Sequence, residues 1–95
     1  MANDITSPES PEQLQPARVE PRWIGLVNAL LEGHEGIATM RTLDPARGLV
    51  CFWIPEGQRE DFDAMVRGMQ RDLSLTLIDL GDPILEGLEP REWLL

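Results

Sequence analysis

GIATMRTLDPARGLVCFWI, running from Gly36 to Ile54, is the stretch that decides the fold. Ile37 to Leu43 is rich in branched and apolar residues, which suits a β-strand. Asp44-Pro45 opens a turn, because an Asp carboxylate accepts nearby backbone N–H groups and Pro presets φ at the next position. Gly48 can take the positive φ that closes a short hairpin loop. Leu49 to Ile54 reads as the return strand, and Pro55 and Gly57 end it. The whole stretch predicts an antiparallel hairpin.

The return strand is apolar on both sides. Val50, Phe52 and Ile54 fall on one face; Leu49, Cys51 and Trp53 fall on the other. A sheet with one wet face shows a cleaner alternation. Something is therefore expected to cover the second face: another subunit, the C-terminal tail or a ligand. The first of these makes Leu49, Cys51 and Trp53 a homodimer interface.

Outside the hairpin, helical periodicity appears twice. From Pro21 to His34 an apolar stripe runs through Trp23, Leu26, Val27, Leu30, Leu31 and His34, with Pro21 suited to the first turn and Gly36 to the stop. From Gln58 to Leu73, Phe62, Met65, Val66, Met69 and Leu73 share an arc about 100° wide. Ser74 to Leu80 returns as a strand. A first strand is less plain: LQPARVE, residues 14–20, supplies it if Pro16 sits at its start or on a sheet edge. The resulting order is strand, helix, strand, strand, helix, strand. This is an α+β, ferredoxin-like βαββαβ sandwich, an antiparallel sheet with two helices on one face. Residues 1–16 are expected to be disordered, 17–81 to form the domain, and 82–95 to be a tail that lies on its own sheet or on a partner. Pro90 is placed to start a short helix there that carries Trp93 and Leu94.

Charge narrows the function. Eight basic residues, all Arg and scattered, face 17 acidic ones, for a net charge of −9. That sign disfavours nucleic acid and anionic membrane as partners. No run is long or apolar enough to span a bilayer, and the N-terminus lacks a secretory pattern, so a cytoplasmic location is expected. One Cys and one His are too few for a zinc pattern; neither a metal nor a cofactor is expected. Cys51, inside LVCFWI, reads as a small packed hydrophobe.

The segment LLEGHEGIATMRTLDPARGLVCFWIP carries a further signal. Glu35, Gly36, Ile37 and Ala38, followed by Arg41, Thr42, Leu43 and Asp44, resemble the EG-apolar-Ala and RTLD elements of a bacterial family of small uncharacterised domains, matched from about Arg18 to Leu80. That family is similar in proposed topology to ACT-like regulatory domains. The resemblance implies paired sheets and a small-molecule ligand, such as an amino acid, bound at an interface.

Candidate ligand-binding residues are Arg41, His34 and Asp44. Arg41 can hold a carboxylate through paired donors. Beside that stand plainer structural roles: His34 filling space at a helix end, and Asp44 capping its turn. Glu60, Asp61 and Asp63 suit a helix N-terminus and do not converge as catalytic acids must. With no paired acid–base groups or activated nucleophile, no catalytic residue is assigned and an enzyme is not expected. The chain reads as a dimerisation or interaction domain, with a small-molecule regulatory module as the alternative.

Overall fold

The computed structural model describes residues 13–34 and 36–88. Strand β1 (Gln13–Arg18) leads through a 3-10 turn (Pro21–Trp23) into helix α1 (Ile24–Glu32). Strands β2 (Thr39–Asp44) and β3 (Leu49–Ile54) flank a second 3-10 turn (Pro45–Arg47). Helix α2 (Arg59–Leu73), strand β4 (Thr76–Leu77) and a last 3-10 turn (Pro83–Leu85) follow. The sheet order is β2-β3-β1-β4, and every pairing is antiparallel. The chain is α+β, and this arrangement is the ferredoxin-like βαββαβ one.

The hairpin forms as its residues dictate. Asp44 caps the turn, accepting from the N–H groups of Ala46 at 3.1 Å and Arg47 at 3.4 Å. Gly48 then turns left-handed at φ +70°. A β-carbon there would lie 1.7 Å from the Val19 carbonyl oxygen, so glycine is demanded by contact as well as by φ. The close approach joins the hairpin to the end of β1, where the Val19 N–H donates to Gly48 O at 2.9 Å.

β1 begins at Gln13, so the strand reaches four residues ahead of the domain start expected from sequence. Its placement is also unexpected. Pro16 lies mid-strand, and β1 is interior, between β3 and β4. The sheet tolerates it because of where its nitrogen points. Pro16 O accepts from Ile78 N at 3.0 Å, on the β4 side, and the N and O of one strand residue face the same neighbour. Pro16 thus removes a donor only from the β4 edge. There the ladder is short: β4 spans Thr76–Leu77 rather than Ser74–Leu80.

Both helices cover the face that carries Val50, Phe52 and Ile54. Ala17, Val27, Leu31, Phe62, Val66 and Met69 complete the heart of that core. Phe52 and Phe62 meet edge-to-face with centroids 5.1 Å apart. In α2 the predicted arc holds: Phe62, Val66 and Met69 are buried, with Met65 and Leu73 packed against them. In α1 the expected stripe was too wide. Val27 and Leu31 are buried, whereas Leu26 and Leu30 are exposed at 41% and 39%. A helix lying flat on a sheet buries one arc, and here that arc is centred on Val27 and Leu31. The α-helix itself ends at Glu32, so His34 lies beyond it and is exposed.

The second face is covered in the single chain. Leu49 and Cys51 have 0% exposure, and Pro16, on the same face by register, is also fully buried. Among the described residues, Leu49, Cys51 and Leu85 are buried, with Pro16, outside the helix-side core. Leu85 belongs to the turn after β4, which Asp82 caps by accepting from Ile84 N at 2.9 Å. Leu49 and Cys51 are thus already out of solvent within the single chain. The expected disorder of the first residues and the tail helix near Pro90 lie outside the described residues.

Candidate functional site

Cross-strand register assigns each candidate residue to a face. Arg41 stands opposite Cys51, on the face away from the helices. His34 lies on the helix layer, beside Leu26, Leu30 and Met65. Asp44 ends β2 and is committed to its own turn: besides the two backbone bonds, its Oδ2 accepts from Arg47 Nε at 2.7 Å. That bond to the Arg47 side chain holds the Asp44 carboxyl below its usual range, against a smaller opposing effect of desolvation. Arg41 and His34 thus lie on different layers of the fold, and Asp44 is engaged within its own turn.

The expected interface trio is also unequal. Leu49 and Cys51 offer no surface, and only Trp53 keeps partial exposure. Its indole Nε1 is nevertheless buried and without a hydrogen-bond partner. Burial pushes the Cys51 thiol up to about 11, so it stays protonated and poorly nucleophilic at neutral pH. The packed-hydrophobe reading of this residue fits that environment.

Two surface features among the described residues stand apart from these. The first is a groove of about 380 Å³ between α1 and α2, lined by Leu26, Leu30, His34, Met65, Asp72 and Leu73 among others. Its walls are mostly apolar. Leu26 and Leu30 are one helical turn apart, and Gly25 and Ala29 are exposed on the same helix. No heavy atom outside the local backbone comes within 4 Å of where a β-carbon on Gly25 or Gly33 would stand. Helical spacing revealed these leucines in the sequence, but it could not separate the core arc from the arc beside it.

The second is a cavity of similar volume, about 380 Å³, at the end of the sheet where β1, the β2–β3 turn and the start of β4 converge. Arg18, Glu20, Arg47, Ser74 and Thr76 supply its polar lining. These residues are scattered along the sequence and no motif joins them, so residue spacing gave no warning of the site.

Glu60 and Asp61 occupy the first turn of α2, where negative charge is favourable. Asp63 pairs with Arg59 at 2.9 Å, one helical turn away. Arg59 also donates to Gln13 Oε1 at 3.3 Å and Gln15 Oε1 at 3.2 Å and lies over the Phe62 ring. These contacts hold a cation in the first turn of a helix, where the dipole disfavours it. The group braces β1 against α2 and is architectural. No cluster of three or more His, Cys, Asp or Glu able to hold a metal occurs among the described residues, and no helix among them is long and apolar enough to cross a membrane.

No curated protein and no solved structure matches the chain. Residues 17–72 match the family model DUF4911, a domain of unknown function. The matched span runs from the end of β1 almost to the end of α2, and so takes in the hairpin, the Gly48–Val19 approach and the interhelical groove except Leu73. It exceeds half of the sequence, and the chain belongs to the DUF4911 family.

Proposed function

We propose that this domain is a non-enzymatic association module that forms a homodimer through the groove between α1 and α2. One observation carries the reading: Leu26 and Leu30 are large apolar side chains left 41% and 39% exposed along that groove. Covering what remains exposed of each is worth roughly 1 kcal/mol, and a two-fold contact covers four such side chains. Charge favours a second copy as the occupant. Each chain carries −9, so two copies meet with least repulsion on a face poor in acids. Among the described residues Asp72 is the one carboxylate in the groove lining, and His34 lines the same groove.

Sedimentation of the full chain tests this. The expected result is a dimer in the micromolar range that Leu26→Glu/Leu30→Glu converts to a monomer with an unchanged circular dichroism spectrum. A wild-type chain that remains monomeric throughout that range overturns it.

The second reading is a regulatory module that binds a small molecule, as the ACT-like resemblance implies. The cavity beside Arg18 favours it, in preference to the separated Arg41 and His34.

A further inference from the structure

We propose that the cavity at the end of the sheet binds a small oxyanion, the carboxylate or phosphate group of a metabolite, between Arg18 and Arg47. The inference rests on the small-molecule reading, gives it a site, and does not depend on self-association.

Three parts of the chain are fastened together at this place. Val19 is tied to Gly48 by the 2.9 Å backbone bond, with no room for a side chain between them. That contact sets the end of β1 beside Ala46 and Arg47. Ser74, in the left-handed conformation at φ 55°, ends α2 and turns the chain into β4, whose Thr76 pairs in register with Arg18. The cavity is the space these segments enclose, so it is built by the fold's own connections.

The charges around it run against the rest of the molecule. Arg18 makes no ion pair or side-chain hydrogen bond among the described residues, although the chain has more than twice as many acids as bases. Arg47 is oriented by Asp44, which takes its Nε; the two terminal nitrogens of that guanidinium make no hydrogen bond among the described residues. Glu20, the carboxylate in the lining, is already engaged by Arg22 Nε at 2.6 Å. The cavity therefore offers one unengaged guanidinium, one pre-oriented guanidinium and the hydroxyls of Ser74 and Thr76. Guanidinium forks match planar carboxylates and phosphates through paired charge-assisted bonds, and the hydroxyls add neutral donors. A volume near 380 Å³ suits a small metabolite and not a macromolecule.

The test is a heteronuclear NMR titration of the full chain with sodium phosphate and, separately, with sodium succinate, each at ionic strength matched by sodium chloride. Saturable shifts are expected at the amides of Val19, Ala46, Ser74 and Thr76. The tighter of the two ions identifies the phosphate or carboxylate source. Arg18→Gln, at an exposed position, should weaken binding about tenfold while its spectrum shows an intact fold. The Leu26→Glu/Leu30→Glu chain should bind as wild type does, which separates this site from the dimer surface. Linear shifts equal to those from sodium chloride alone, or binding unchanged by Arg18→Gln, overturn the proposal.

Discussion

Gln15 Nε2 donates to the carbonyl oxygen of Ile78 at 3.0 Å. Residue 16 is the register partner of residue 78, so an amide proton at position 16 would ordinarily meet that carbonyl. Pro16 has none, and the neighbouring glutamine supplies the missing donor from its side chain. Its Oε1 accepts from Arg59, so one residue ties β1 to both β4 and α2.

Gln15→Leu should therefore destabilise the fold by about 1–3 kcal/mol, the usual consequence of leaving such a group unsatisfied. In a Pro16→Ala background a backbone donor is restored, and the same substitution should cost less. Urea denaturation of the four chains measures the coupling. An identical cost in both backgrounds would show that Gln15 does not substitute for the proline's absent proton.

Gly48 and Gly57 both have positive φ, at +70° and +82°, but differ in their surroundings. Gly57 faces open space, so Gly57→Ala carries only the left-handed penalty of about 1–2 kcal/mol. Gly48→Ala adds a collision with the Val19 backbone and is expected to cost distinctly more, or to prevent folding. Thermal unfolding of the two variants decides the point; equal losses would mean that β1 and the hairpin do not approach as described.

Cys51 links stability to alkaline pH. Desolvation in the core raises its folded value from the ordinary 9.0 to about 11. A raised value means that the folded state holds the proton where the unfolded state releases it. The contribution is complete below pH 9 and fades as pH rises towards 11. Wild type should lose more stability over that window than Cys51→Ala does, and the native thiol should resist an aromatic disulfide reagent at pH 8 until denaturant is added. Rapid labelling under native conditions would contradict both expectations.

Much of the architecture was legible because its signals are local. Asp44-Pro45 and Gly48 specify a turn through their own dihedral and hydrogen-bonding preferences, and the apolar arc of α2 survives unchanged in the fold. Pro16 was harder to place. The rule that keeps proline off interior strands concerns an unmet hydrogen bond, and Gln15 meets it from outside the backbone. The doubly apolar β3 correctly required a cover, but burial alone does not say whether a second chain or the same chain provides it. Leu26 and Leu30 followed helical spacing, yet they sit on the arc beside the buried one, and His34 lies past the helix end. The Arg18 cavity had no sequence signature, since its parts meet only once three connections converge.

The proline within β1 has a bearing on solubility as well. A growing cross-β stack needs an uninterrupted row of amide protons along its template, and residue 16 breaks that row on the side where β4 stops short. A foreign strand recruited there would find a gap beside a carbonyl already taken. On that flank an incoming strand would therefore meet a proline in place of a donor.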